Sequence, residues 1–276
     1  VCDFDTVKHF MKGVDGCFHL ADLSECSIAR KVTRDINATL TGGFNVFSAA
    51  ALNKVKVVYV SSSAVYGDNA ELPLSEASEP CPLTPYAADK RALELHAKVA
   101  SMSDRVPTVG LRLFNLYGEH YAHELAGQDV VSTFIQQILS EKPVAIYGHG
   151  QQTRDFVYVD DAIRFITAAM SYTSSVPEIF NICSGQGTSI LALAERIMRI
   201  SGINVPIVHE PSRAGDINGS YGCPRRSREK LACVTQMSLN DGLRKLIDFY
   251  SSTQDHAQMY MTHAASNHNA LVRQSL

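Results

Sequence analysis

The sequence lacks the features that mark several large classes of protein. Its seven cysteines are scattered, with no Cys-x-x-Cys or His-x-x-x-His spacing, so we predict reduced thiols and no metal site. The net charge of -3 disfavours a nucleic acid or an anionic membrane surface as the main partner. No apolar run approaches the roughly 20 residues that span a bilayer, and no signal peptide is visible. We therefore expect a cytoplasmic protein with no membrane partner.

What is present is an ordinary globular composition, with 276 residues of which 45% are hydrophobic and 19% charged. Such a chain suffices for one large core or two unequal lobes. Hydrophobic patterning predicts helices near 5–13, 34–52, 129–141, 162–170, 189–201 and 239–250, and strands near 16–22, 56–60, 106–114, 144–148 and 205–208. Residues 251–276 have no period and many polar residues, so we expect a disordered tail there.

Two of these helices carry specific expectations. Val7, Phe10 and Met11 form the apolar stripe of the first helix and are predicted to face inward. Asp160 and Asp161 precede the helix near 162–170 and are predicted to cap it.

The stretch from Lys56 to Lys90 carries the chemistry. An apolar run, Lys-Val-Val-Tyr-Val, ends at the hydroxyl cluster of Ser-Ser-Ser-Ala-Val-Tyr-Gly, which is typical of a buried strand that delivers polar groups to a site. Tyr86 and Lys90 stand at i and i+4, so a helix places them on one face. The ammonium favours phenolate and lowers the tyrosine pKa from its reference near ~10, which suits a general base. The pair alone is more often solvated helix surface, and the serines upstream are what favour a site.

Four motifs follow one another in a characteristic order: Ser-Ser-Ser-Ala-Val-Tyr-Gly, Pro-Tyr-Ala-Ala-Asp-Lys, Leu-Arg-Leu-Phe-Asn-Leu-Tyr-Gly and Thr-Arg-Asp-Phe-Val-Tyr-Val-Asp-Asp. On these motifs the chain resembles the extended short-chain dehydrogenase/reductases of the NAD-dependent epimerase/dehydratase family, and among them the UDP-glucose and UDP-N-acetylglucosamine 4-epimerases. The resemblance covers residues 1 to about 250. It implies an α/β fold, a doubly wound Rossmann-type parallel sheet with a smaller α/β substrate-binding lobe. The implied NAD-binding domain is 1–114, with 151–183 returning to it, and the implied sugar-nucleotide lobe is 115–150 and 184–250.

The resemblance also implies the site residues. The catalytic ones are Ser62, Tyr86 and Lys90. Those that would contact NAD are Leu20, Ala21, Ser61, Tyr86 and Lys90. Those that would contact the UDP-sugar are Ser62, Ser63, Asn115, Tyr147, Arg154, Arg213, Asp216 and Ser220. A turn-forming role for Asn115 and an ordinary edge-strand role for Tyr147 stay open, and the small Ser220 leaves room for an N-acetyl group at the sugar's C2.

One family feature is missing. The Gly-x-x-Gly-x-x-Gly turn, which holds a pyrophosphate at a helix N-terminus, does not occur before Asp3. The family pattern therefore implies a sheet that lacks its first βαβ unit. This is either a partial sequence, which we favour, or a natural form with half its cofactor site. We expect a chain without this turn to bind NAD poorly.

The expected function is NAD-dependent 4-epimerisation of a UDP-hexose through a 4-keto intermediate, with the hexose left open. Dehydratases of the family carry Asp-Glu, and decarboxylases a Glu, where this chain has Ser63 and Ala64. Dehydration needs an acid and a base, so Ala64 disfavours both alternatives. A 4-keto reductase and a truncated, non-catalytic sugar-nucleotide-binding form remain open. The resemblance further implies a homodimer formed through the helix of Tyr86 and the long helix before it.

Overall fold

The computed structural model of the chain describes residues 1–21, 36–119, 129–212 and 216–252. The strands are β1 (Gly16–His19), β2 (Lys56–Ser62), β3 (Thr108–Leu113), β4 (Asn115–Tyr117), β5 (Val144–Tyr147), β6 (Thr153–Arg154), β7 (Phe156–Tyr158), β8 (Glu178–Ile182), β9 (Thr188–Ser189), β10 (Ile207–Glu210) and β11 (Gly219–Ser220). The helices are α1 (Phe4–Phe10), α2 (Ile36–Asn53), α3 (Pro85–Ser103), α4 (Val130–Leu139), α5 (Val159–Ser171), α6 (Ile190–Ser201), α7 (Arg225–Leu231) and α8 (239–252), and a 3-10 helix spans Ser63–Tyr66.

A parallel sheet forms the centre of the fold, with strand order β1-β2-β3-β8. In β2 the consecutive residues Val57, Val58 and Tyr59 are all buried, because helices cover both faces of a parallel sheet and leave neither to water. Val57 and Tyr59 belong to the core beneath α2 and α3, whereas Val58 belongs to the core beneath α5. These two layers confirm the predicted α/β fold with a doubly wound parallel sheet.

A further apolar core lies among α4, α6, α8 and β5, and it contains Ile135, Ile146, Leu193 and Leu246. Three small sheets accompany it: β5 pairs with β10, β4 with β7, and β6 lies between β9 and β11. The β6–β11 pair sets Arg154 opposite Ser220. Residues predicted to contact the sugar nucleotide therefore come together on adjacent strands of one sheet.

The start of α3 is set by local chemistry. Pro85 occupies the first turn, where its missing N–H costs nothing. Thr84 is the N-cap, and its hydroxyl accepts a hydrogen bond from the Ala87 amide at 3.2 Å. This cap fixes where the helix begins, and hence which face Tyr86 and Lys90 occupy.

Two local predictions are wrong. Met11 is buried, but Phe10 is 74% exposed. The two residues lie about 100° apart around a helix, and Met11 takes the position that faces the core. Helix α5 begins at Val159 with no side-chain cap. Asp161 is instead inside the first turn, where it accepts hydrogen bonds from the amides of residues 236–237.

The predicted tail falls largely outside the described residues, which end at 252. Across the described ranges, no helix combines the length and the apolar character needed to cross a bilayer.

Candidate active site

The three residues predicted to be catalytic lie around the C-terminal end of β2. Ser62 is the N-cap of the 3-10 helix, and its hydroxyl accepts a hydrogen bond from the Ala64 amide at 3.1 Å. Lys90 is 1% exposed, and its ammonium lies 5.8 Å from the centroid of the Tyr86 ring. The same ammonium donates to the Val60 carbonyl at 2.9 Å. Lys90 thus joins the helix face that carries Tyr86 to the strand that ends at Ser62.

A buried ion pair lies one turn further along the same helix face. The Arg112 guanidinium binds both oxygens of the Glu94 carboxylate, with Nε–Oε1 and Nη2–Oε2 distances of 2.8 Å. Ser61 donates to Glu94 Oε1 at 2.6 Å, and Arg91 donates to Oε2 at 3.0 Å. Burial acts to raise the pKa of the Glu94 carboxyl, but these donors outweigh burial and hold the pKa below its ordinary value. The Ser61 hydroxyl is therefore bonded to Glu94, and its predicted contact with a cofactor stays a prediction.

The ion pair continues into a chain of polar contacts across the sheet. The Arg112 guanidinium lies 4.6 Å from the centroid of the Tyr66 ring. The Tyr66 hydroxyl donates to Asn181 Oδ1 at 2.7 Å, and Asn181 Nδ2 donates to the Leu74 carbonyl at 3.0 Å. Burial raises the pKa of Tyr66 to about 12, so this phenol remains a neutral donor at physiological pH.

The end of β1 presents apolar surface at the same edge of the sheet. His19 is buried, whereas Leu20 is 48% exposed and Ala21 is exposed. In a parallel sheet of this type, ligands bind outside the carboxyl ends of the strands. Leu20 and Ala21 lie exposed at this edge, and their contact with the cofactor stays a prediction.

A second group of predicted site residues surrounds Arg154. Its guanidinium pairs with Asp216 at 2.6 Å and donates to the Ile217 carbonyl at 2.9 Å. Gln152 Nε2 reaches the other Asp216 oxygen at 3.5 Å. Ser220 is opposite Arg154 in the strand pairing and is buried. The structure thus brings Arg154, Asp216 and Ser220 together.

The other predicted substrate contacts are placed as follows. Ser63 is buried at the start of the 3-10 helix. Tyr147 is 38% exposed at the end of β5, and its carbonyl accepts from Gln152 at 2.9 Å. Asn115 is exposed, and its backbone N–H donates to the Asp155 backbone carbonyl at 3.0 Å. Arg213 lies outside the described residues.

The backbone around Leu74 attaches the segment after Ser220 to the loop that precedes α3. The Leu74 amide donates to the Tyr221 carbonyl at 2.9 Å, and the Cys223 amide donates to the Leu74 carbonyl at 2.8 Å. Asn218 is also bound to the Asp68 carboxylate, through its amide at 3.0 Å and its side chain at 3.2 Å. The Leu74 hydrogen bonds and the Asn218–Asp68 hydrogen bonds together hold in place the segment that contains Ser220, which we call the Ser220 wall.

The buried carboxylate of Asp155, which was not predicted from the sequence, also supports the Ser220 wall. Asp155 is fully buried and accepts from the Ser184 amide and hydroxyl, the Gly185 amide and the Gly222 amide, at distances from 2.6 to 3.2 Å. Burial raises the pKa of this carboxyl despite the four donors. The available signal is a charged residue directly before the apolar run Phe-Val-Tyr-Val, where burial requires a set of partners.

Glu94 and Arg112 are the other residues that sequence reasoning missed. Arg112 interrupts an apolar strand, so it needs a buried counter-charge. Glu94 follows Tyr86 and Lys90 on one helix face at steps of four residues, which would have identified it. In the described part of the chain, no group of three or more His, Cys, Asp or Glu side chains could hold a metal ion.

The chain is similar to known proteins in both sequence and fold. The family model described as the NAD dependent epimerase/dehydratase family matches residues 1–183. The chain is 32% identical over 195 residues to the uncharacterized UDP-glucose epimerase YtcB of Bacillus subtilis, covering 71% of this chain and 60% of that relative. It is 28% identical over 253 residues to UDP-glucuronic acid decarboxylase 1 of Arabidopsis thaliana, covering 88% of this chain and 56% of that one. The chain thus spans less than two thirds of the length of each.

A solved structure shares the arrangement. The UDP-glucose 4-epimerase of Thermotoga maritima, crystallised with UDP-glucose, superposes with a TM-score of 0.85 at 28% sequence identity. The superposition covers 92% of this chain and 83% of that one.

Proposed function

The chain belongs to the NAD dependent epimerase/dehydratase family, and on that premise we propose that it serves NAD-dependent 4-epimerisation of a UDP-hexose through a 4-keto intermediate. The observation that carries the proposal is the contact of Lys90 with both Tyr86 and Val60. This contact supports a phenol, an ammonium and the Ser62 hydroxyl acting on one sugar alcohol.

The residues at the end of the sheet fit the nicotinamide half of NAD. Leu20 and Ala21 offer an exposed apolar wall at the end of β1, and Lys90 offers a charged donor beside Tyr86. When bound, NAD supplies the acceptor and donor of the sugar's C4 hydrogen. The protein's part is to hold the ring and the sugar face to face.

The acid–base work falls to the chain's own residues. Tyr86, as phenolate, takes the proton of the C4 hydroxyl, and Ser62 donates a hydrogen bond to the same oxygen. Lys90 stabilises the phenolate by its charge. In the return step Tyr86 gives the proton back to the C4 oxygen, after the 4-keto sugar has turned its other face. Tyr86 alone can therefore serve as base and acid for the formation of either C4 epimer.

The nucleotide end is assigned to the second group of residues. A guanidinium fork suits a diphosphate, so Arg154 and, by resemblance, Arg213 would hold it. Asp216 would accept hydrogen bonds from the ribose hydroxyls, and Tyr147 would stack on the base. Asn115 and Ser63 would contact the sugar nucleotide, and Ser220 would leave room at the sugar's C2. The nucleotide supplies binding energy that lets the sugar move without leaving.

We propose a homodimer through α2 and α3, since large apolar side chains are exposed on both helices. They are Phe44, Leu52, Leu95, Val99 and Met102, each at least 48% exposed. Exposed apolar side chains concentrated on two neighbouring helices are typical of an interaction surface. A second copy of the same helices, in a four-helix contact, would cover it.

We place the protein in the cytoplasm. The cysteines in the described ranges are all free thiols, which supports a reducing compartment.

Position 64 separates the proposal from two of the alternatives, and cofactor behaviour separates it from the other two. A dehydratase or decarboxylase needs a further acid or base beside Ser62, and Ala64 offers none. A 4-keto reductase would consume NADH without returning it. A non-catalytic form would bind UDP but not NAD.

The test supplies NAD with UDP-glucose or UDP-N-acetylglucosamine to the full natural protein and follows the products by NMR. We expect the C4 epimer of one substrate. Tyr86→Phe should lower kcat by roughly 10²–10⁴-fold, the usual contribution of a general base. The matched control is Tyr172→Phe, because this tyrosine contacts Glu178 instead, and it should leave kcat unchanged. Accumulation of a 4-keto-6-deoxy sugar would contradict the assignment, and so would, in parallel assays supplied with UDP-glucuronate or with NADH, loss of the carboxyl carbon or net oxidation of NADH.

A further inference from the structure

We propose that the Glu94–Arg112 ion pair is a positioning unit for the reaction, because it holds the Tyr86 face of α3 against the end of β2. The inference rests on the proposed function and adds residues to it that touch neither substrate nor cofactor. The pair acts through the residues that do.

The contacts along α3 follow successive residues of β2. Tyr86, Lys90 and Glu94 follow one another at steps of four, so they share one helix face. Lys90 donates to the Val60 carbonyl, and Glu94 accepts from the hydroxyl of the next strand residue, Ser61. Successive helix turns are therefore fixed to successive strand residues, and Ser62 is the residue that comes next. A displacement of α3 along β2 would break both contacts.

A bidentate ion pair fixes the relative orientation of the two elements that it joins. Apolar side chains pack without a preferred angle, whereas a guanidinium holds a carboxylate by two parallel bonds in one plane. Both bonds of the Glu94–Arg112 pair are 2.8 Å long, and each side chain is only 3% exposed. A buried pair of this kind is weak evidence for stability, since apolar residues often replace it at no cost. What the ion pair adds, and apolar residues would not, is a fixed orientation of α3 relative to the sheet.

The Glu94–Arg112 pair is itself anchored to the sheet. Arg112 lies on β3 and stacks on the ring of Tyr66, which is bound in turn to Asn181 on β8. Contacts with β2 and β3, and through Tyr66 with β8, therefore fix the position of Glu94. Arg112 Nη1 is buried without a hydrogen-bond partner among the described residues, so the guanidinium is held by Glu94 and by the Tyr66 ring.

The experiment replaces the pair by apolar residues, in the double variant Glu94→Met/Arg112→Met. The matched control is Glu178→Met/Arg226→Met, which removes another ion pair of a buried glutamate at the opposite edge of the sheet. We expect both variants to fold and to have Tm values close to the wild type. The first should lose roughly 10²-fold in kcat, as small misplacements do, with an unchanged KM for the UDP-hexose. The control should keep both constants.

The outcomes separate the inference from the function it rests on. Wild-type kcat in a stable Glu94→Met/Arg112→Met variant would overturn the inference and leave the proposed function intact. If the wild type turns over no UDP-hexose, the proposed function fails, and amide hydrogen exchange tests the positioning role. Exchange in the first turns of α3 should then be faster in the first variant than in the control, and equal exchange would overturn the role. Should the double variant not fold, Arg112→Lys keeps the charge and loses the fork; an unchanged kcat there also overturns it.

Discussion

Substitution of Gly67 by alanine should destabilise the protein far more than an ordinary glycine replacement. Gly67 follows the 3-10 helix with φ 61° and ψ -149°, a region that essentially only glycine adopts and that costs another residue about 1–3 kcal/mol. A Cβ there would lie 1.9 Å from the Cys81 carbonyl oxygen. Because that atom is backbone, no side-chain rotation relieves the contact, and the segment leading to α3 must move away. We expect a total loss of at least about 3 kcal/mol in the free energy of unfolding.

The matched control is Gly202→Ala. Gly202 ends α6 with φ 73° and ψ 4°, and a Cβ there would meet no atom within 4 Å. It therefore carries only the backbone cost of a left-handed residue, about 1–2 kcal/mol. Urea unfolding of both variants, with equal m-values, measures the difference. Equal losses for the two variants would refute the reasoning, since they would show that the Cys81 contact costs nothing.

Three further predictions concern charge and surface. The lowered pKa of Glu94 means that its stabilisation is full above its unfolded pKa, near ~4.3, and is lost as the pH falls through the folded value. Glu94→Gln should therefore cost about 3–5 kcal/mol at pH 7 and progressively less toward pH 3 in urea titrations; a constant cost would contradict this sign. Asp155→Asn should lower stability by about 1–3 kcal/mol, because an amide NH₂ would face backbone N–H donors, and a neutral effect would show that those donors find other partners. Val99→Asp should convert a dimer to a monomer in analytical ultracentrifugation without changing the far-UV circular dichroism. If the wild type is itself a monomer, the proposed dimer through α2 and α3 is wrong.

The central fold was predictable because its signals are local. The apolar run of β2 ends where the hydroxyls begin, and Thr84 with Pro85 marks the first turn of α3. Such signals depend on a residue and its near neighbours, so one sequence contains them. The predicted placement of Phe10 failed because a short helix has too few apolar positions to fix its rotation.

The less predictable part consists of polar contacts between distant segments. Asp161 looked like a helix cap, yet amides some 75 residues away bind it. Arg112 and Glu94 are 18 residues apart, and each taken alone resembles an ordinary strand or helix residue. Their pairing depends on how α3 lies on the sheet, which patterning along the chain does not specify.

The attachment of Leu74 to Tyr221 and Cys223 uses main-chain groups alone. Any residue except proline offers the same amide and carbonyl, so these hydrogen bonds do not specify the side chains at the three positions. In the proposed enzyme, a changed side chain next to Ser220 would therefore leave intact the hydrogen bonds that hold this segment to the loop before α3. The side chains that line the proposed sugar pocket and the main-chain hydrogen bonds that hold the pocket in place are thus separate features of the structure.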